Sequence, residues 1–146
     1  MTVLLAFLHH LAAFTLVAAL ALEFVFIKQD LTLANVRRLQ VADAVLGAAA
    51  AILWIVGLSR VMWFEKGAAY YFSNHAFLGK LSLFIVVAGL SIVPTIEFLK
   101  WRKATEQGRL PDVSAAKLRT MRMIIHVELA AIVFILLFAA IMARGG

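Results

Sequence analysis

Two consecutive histidines, His9 and His10, stand in an apolar stretch that runs from Val3 to Ile27. An imidazole there loses hydration unless another group occupies its nitrogens, so ionisable residues in such stretches are functional candidates by default. The other polar residues within or bordering apolar stretches are Glu23, Asp43, Arg60, His75, Lys80, Glu97, His126 and Glu128. Imidazoles can ligate a haem iron or a metal ion, and carboxyls can exchange protons or pair with cations. Lys80 and Arg60 can neutralise an anion such as a haem propionate, or snorkel to headgroups.

These residues need elements that fix their depth, and the composition specifies them. With 146 residues, 64% of them hydrophobic and 15% charged, the chain lies far outside the range of a soluble domain. Four apolar runs, Val3 to Ile27, Val41 to Trp63, Ala76 to Leu99 and Met123 to Ala143, each approach or exceed the roughly 18 residues that indicate a membrane span. The expected fold is therefore all-α, an integral membrane four-helix bundle forming a single domain over 1–146. The longest polar connection, Lys100 to Arg122, is too short for a second domain. The first run lacks a basic start and is longer than a secretory signal core, so it is expected to be retained. The chain has no cysteine, which excludes disulfides, thiolate metal sites, iron–sulfur clusters and thiol catalysis.

The formal charge of +6 follows the connections. Lys28, Arg37 and Arg38 occupy the first, and Lys100, Arg102, Lys103, Arg109, Lys117, Arg119 and Arg122 the third, whereas Arg60, Lys66, Lys80 and Arg144 lie on the opposite side. Positive-inside bias then puts both termini outside, N-out/C-out, with the basic connections in the cytoplasm. Anionic lipid is the expected partner of this charge, and nucleic acid is not.

Depth sorts the candidates. His9, His10, Arg60, His75 and Lys80 belong to the outer half, and Glu23, Asp43, Glu97, His126 and Glu128 to the inner half. At about 1.5 Å per residue, on the order of 15 Å along the membrane normal separates His10 from His126, too far for joint ligation of one iron. His9 and His10 point about 100° apart on a helix and cannot take opposite faces of one porphyrin. One would ligate while the other supports, with His10 placed ahead of His9 and His75 as second ligand by depth. Haem b suits this donor set better than a protein-only metal site, with copper behind it and zinc behind copper. Glu23 stands fourteen positions after His9, on the same face of the first helix. With Asp43, Glu97, His126 and Glu128 it offers either a proton path, a metal-binding cluster or a network of structural ion pairs.

Further local signals complete the reading. Asp30, Thr32 and Asn35 mark a cap or turn before an early start of the second helix, and Ser114 does the same for the fourth. The small residues Gly47 to Ala51 predict a centrally packed second helix. Phe64 to His75 mixes aromatic and polar residues as interfacial segments do, Pro94 is expected to bend the third helix, and Arg122 to pair with an acid or a lipid phosphate.

Over nearly its whole length the chain resembles an uncharacterised family of small four-helix bacterial membrane proteins. The matching residues are Phe7-Leu8-His9-His10, Arg60, Glu65-Lys66-Gly67-Ala68-Ala69-Tyr70-Tyr71, Lys80-Leu81 and His126-Val127-Glu128-Leu129. The resemblance implies a bacterial inner membrane location and transfers no activity. More distantly the chain looks like J-type protoporphyrinogen oxidases and copper-resistance D-type membrane proteins, through Leu8-His9 or His10, Lys80-Leu81 and His126 to Glu128. That likeness implies haem b at His9 or His10 and a functional Lys80. The oxidases follow their histidine with a Trp, a Gly and a Tyr-Leu-Pro-Arg stretch, where this chain has Leu16 to Phe24, so porphyrinogen oxidation is not implied. Met62, Met121, Met123 and Met142 form no copper-ligand pattern.

The leading expectation is a membrane b-type haem protein in electron transfer or redox chemistry, a class that includes haem-dependent membrane oxidoreductases, with a redox partner, a larger complex or a second copy. The alternatives are a haem-free membrane subunit or assembly factor, and a metal or ion transporter.

Overall fold

The computed structural model describes residues 2–64 and 68–144. Helix α1 covers Thr2–Ile27 and α2 covers Leu33–Ser59, running on through a π-helical turn, Arg60–Phe64. A short α3, Ala68–Phe72, precedes the long α4, His75–Glu106, and α5 closes the chain at Ala115–Ala143. Four of these helices, α1, α2, α4 and α5, are long and apolar enough to cross a membrane. Among the described residues there is no strand, and the fold is the all-α four-helix membrane bundle that the hydropathy predicts. The expected interfacial motif Glu65-Lys66-Gly67 lies outside the described residues.

Side chains set the helix ends. Thr32 accepts the Asn35 N–H at 3.1 Å, Asn74 that of Phe77 at 3.0 Å and Ser114 that of Lys117 at 3.1 Å, so each start carries a side-chain N-cap. At the other end of α4, Gly108 adopts φ +70°. Its N–H donates to the Thr105 carbonyl at 3.1 Å and that of Arg109 to Ala104 at 2.9 Å, the paired bonds of a Schellman stop. The loop left between α4 and α5 is therefore 107–114, shorter than the polar stretch Lys100 to Arg122 suggests. Hydropathy marks where lipid ends, while capping marks where the helix ends. α4 also continues through Pro94 as one element.

Packing is cyclic. α1 lies against α2 and α5, and α4 against α5 and α2, whereas the diagonal backbones do not approach. Short connections make sequential neighbours antiparallel, so the first and third connections share one end, here the basic end, and the termini share the other. Every helix turns one stripe inward at three- and four-residue spacing. On α1 it passes through Ala12, Leu16, Ala19, Glu23 and Ile27; on α2 through Val36, Leu39, Asp43, Leu46, Ala49, Leu53 and Val56; on α5 through Met121, Ile125, Glu128 and Ile132. Exposed apolar side chains such as Val3, Ile55 and Val133 cover the outside, as lipid contact requires.

α2 has the largest buried share of the four spans, but not through the residues expected to set it. Of the stretch Gly47 to Ala51, only Ala49 and Ala50 face inward, and nothing lies within 4 Å of where a Gly47 Cβ would be. Its small residues mostly face lipid, because the inward stripe selects one residue in three or four. The close approach falls at another glycine: a Cβ on Gly79 would lie 3.0 Å from the Phe138 ring, whereas one on Gly57 would meet the His9 ring at an ordinary 3.6 Å. Arg122 pairs with no acid among the described residues; its Nε donates to the Ile27 carbonyl at 2.8 Å. The final carbonyls of α1 lack intrahelical partners, and this guanidinium satisfies one of them.

Candidate functional site

The inward stripes bring three carboxyls into one cluster toward the basic end. Glu23 of α1 and Glu128 of α5 are each 1% exposed, and Asp43 of α2 is 7% exposed. The Glu23 and Asp43 carboxyls lie within hydrogen-bonding reach of each other, and Glu128 is close enough to act on Glu23 and to feel the charge of Asp43. Thr95 of α4 donates its hydroxyl to Asp43 Oδ1 at 3.1 Å. Each long helix thus supplies one member of the constellation.

The cluster is under-satisfied. Oε1 of Glu23 and Oε1 of Glu128 are buried without a hydrogen-bond partner, a condition that costs about 1–3 kcal/mol for a buried polar group. Among the described residues no cation forms an ion pair with any of the three. Beside Glu128 is a cavity of about 30 Å³ lined by Leu16, Leu20, Leu46, Ala50, Phe84, Val87, Ala88 and Ser91, comparable with the volume one water occupies in the liquid. Ser91 Oγ donates to the Ala88 carbonyl at 2.8 Å, which leaves its lone pairs available.

The remaining inner-half candidates stand apart. Glu97 accepts the Trp101 indole N–H at 3.1 Å and pairs with Lys117 Nζ at 3.7 Å, at the rim. His126 is exposed and stacks against Phe24, with ring centroids 5.7 Å apart. Two residues separate it from Glu128, and the helix turns them to opposite sides. Sequence reasoning passed over Thr95 and Ser91, although both fall on the inward stripe of α4 with Val87, Pro94 and Phe98. It also passed over Gln40 and Thr105, whose side chains hydrogen-bond at 3.3 Å and clasp α2 to α4 at the basic end.

At the terminal end, His9 is half-buried, and its Nδ1 is buried without a partner. Its ring faces Gly57 of α2, where an added Cβ would meet it at an ordinary contact distance of 3.6 Å. Lys80 and Arg60 bring two positive charges alongside His9. The structure therefore gathers His9, Arg60 and Lys80, and turns His10 outward, with ring centroids 6.1 Å apart between the two histidines. His10 Nδ1 is hydrogen-bonded to the Ala6 carbonyl at 2.6 Å. His75, the first residue of α4, is exposed and makes no described side-chain contact.

This geometry bears on a haem in two ways. His9 turns its Nδ1 toward Gly57, inside the bundle, so only its Nε2 is left to meet a group outside it. His10 fits as a single ligand, because a hydrogen on Nδ1 donated to Ala6 leaves Nε2 as the lone-pair nitrogen on the exposed face. Among the described residues no three His, Asp or Glu side chains converge as a metal-ligand set.

A family model matches residues 1–146. The chain belongs to the family of predicted membrane proteins DUF2214. No curated protein and no solved structure matches it, so the more distant likeness to the J-type oxidases and copper-resistance proteins rests on the residues quoted for it. For this DUF2214 protein the four lipid-facing helices establish a multi-pass membrane protein, and the buried carboxyls are its most concentrated chemistry.

Proposed function

We propose that this protein moves protons through its buried carboxyl centre, as part of proton-coupled ion transport or exchange across the bacterial inner membrane. One observation carries the reading: Glu23 and Glu128, fully enclosed, keep an unpartnered carboxyl oxygen beside Asp43, with no cation among the described residues to neutralise the group. Structural ion pairs would place a Lys or Arg within reach, as Glu97 has Lys117. Carboxyls that hydrogen-bond each other can instead pass the shared hydrogen between Glu23 and Asp43, while Thr95 holds Asp43 in place. The one-water cavity between Glu128 and Ser91 offers a next station toward the middle of the bundle. By positive-inside bias the basic end faces the cytoplasm, which puts the carboxyls on that side.

Proteoliposomes with an internal pH-sensitive dye and an imposed potential test this. Flux is expected in the wild type and lost in Glu23→Gln and Asp43→Asn, with folding checked by circular dichroism. Flux unchanged in both overturns the proposal. Infrared difference spectra across pH supply a second readout, with a protonated carboxyl band expected to shift or vanish in Glu23→Gln.

A second reading, haem b at the terminal end, is favoured by the His10 to Ala6 hydrogen bond. His10 would hold the iron of a haem, which would supply one-electron chemistry there, with Lys80 and Arg60 on the same end to meet propionates. A Soret band in protein produced with ample haem, abolished in His10→Ala and kept in His126→Ala, is the expected result. Protein that stays haem-free under those conditions removes this reading and leaves the first standing.

A further inference from the structure

A groove of about 450 Å³ runs between α1 and α2, apart from the carboxyl centre and the histidines. Its α1 wall is Thr15, Ala18, Ala19, Leu22 and Phe26, and its α2 wall rises from Arg37 and Arg38 through Val41 and Ala42 to Val45. The helices are antiparallel, so Arg37 and Arg38 close the basic end beside Phe26, and Thr15 faces Val45 at the deep end. From Phe26 to Thr15 the walls span roughly 16 Å at 1.5 Å per residue. The groove is apolar along that length, with small side chains at Ala18, Ala19 and Ala42 making its depth. All of its charge is at one mouth.

The two guanidiniums are held there with donors to spare. One Arg37 nitrogen donates to the Thr105 carbonyl at 3.2 Å. Arg38 donates to Asn35 Oδ1 at 3.2 Å and lies over the Phe26 ring, 5.7 Å from its centroid. Neither is in an ion pair among the described residues, and a guanidinium has five N–H donors. Fixed, unpaired cations at headgroup level above an apolar channel are complementary to one type of molecule: an anion that carries a hydrocarbon tail.

We infer that this groove is a binding site for one anionic glycerophospholipid, its phosphate held by Arg37 and Arg38 and one acyl chain laid between α1 and α2. The arginines select the negative headgroup by charge-assisted hydrogen bonds. The groove selects a molecule with a tail over a free phosphate. A second copy of the chain is the competing occupant, but its own basic end would bring like charges to the same mouth.

The test is native mass spectrometry of the full-length protein released from nanodiscs made of equal phosphatidylglycerol and phosphatidylcholine. Phosphatidylglycerol is expected to be retained preferentially, with one tightly held molecule per chain. Replacing both arginines, Arg37→Gln with Arg38→Gln, should reduce that retention about tenfold to a hundredfold, the equivalent of roughly 1.5–3 kcal/mol for a charged hydrogen bond. Because Arg37 also braces α4, Ala18→Phe provides a second arm: it fills the groove from an exposed position, keeps both cations, and should displace the lipid equally. Equal retention of both lipids by the wild type overturns the inference, as does undiminished preference in either folded variant. Displacement of the bound lipid by soluble glycerol phosphate would show that the tail contributes nothing, and a stable lipid-free dimer joined through this face would assign the groove to a second copy; each of these results also overturns it.

Discussion

Thr95→Val isolates the hydrogen bond that orients the carboxyl centre. Valine matches threonine in shape and removes only the hydroxyl that donates to Asp43 Oδ1 at 3.1 Å. Asp43 is 7% exposed, so water does not replace the lost donor freely. For a soluble core, stranding a buried acceptor costs about 1–3 kcal/mol. Between membrane helices the measured couplings average about 0.6 kcal/mol and reach about 1.7, since the dissociated helices also find partners. The membrane range governs here, and Thr95→Val should destabilise the bundle by about 0.6–1.7 kcal/mol. Asp43→Leu removes the acceptor, and in that background Thr95→Val should cost less than about 0.5 kcal/mol, the scatter of independent sites. Reversible unfolding in mixed micelles measures all four corners of the cycle. An equal cost in both backgrounds would refute the coupling, and with it the role of α4 in holding Asp43.

Two further sets of variants follow from the packing. Gly79→Ala places a Cβ 3.0 Å from the Phe138 ring; overpacking costs about 1–3 kcal/mol against a helix-propensity gain near 1. It should lower the thermal midpoint, whereas Gly47→Ala, with open space around its Cβ, should gain about 0.5–1 kcal/mol and raise it; the reverse order would contradict the described interfaces. Arg122→Met removes the bond to the Ile27 carbonyl and should cost about 1 kcal/mol, at the low end for a charged donor because Arg122 is exposed. Hydrogen exchange in the last turn of α1 should quicken in that variant, and unchanged exchange there would remove the cap from the account.

Much of this fold was legible because lipid imposes one dominant signal, long apolar runs, and Thr32 and Ser114 announce their caps locally. The site was half legible. Glu23, Asp43 and Glu128 stand out as carboxyls in apolar runs, and placing each on its stripe, as in Leu20-Glu23-Ile27 or Ile125-Glu128-Ile132, separates them from Glu97 and His126. Thr95 was missed because a hydroxyl in a membrane helix commonly bonds its own backbone, as Thr15 does to Leu11 at 2.8 Å. The order of His9 and His10 was not legible either. Depth treats neighbours alike, and which of them turns inward depends on the rotation of α1 against Gly57, a tertiary fact.

The Schellman stop at Gly108 and the cap at Ser114 carry a consequence for the basic end. α4 has 32 residues, roughly 48 Å at 1.5 Å each, against a hydrocarbon core of about 30 Å. Lys100, Arg102, Lys103, Lys117, Arg119 and Arg122 accordingly ride on helix that projects past the lipid, not on a flexible strand between spans. The ordering entropy of that surface has already been spent in folding. An acidic headgroup layer or an acidic protein can meet it as a rigid body, losing only its own freedom and the water between them. Association there should be fast, sensitive to ionic strength, and nearly free of the heat-capacity signature that accompanies a segment folding as it binds.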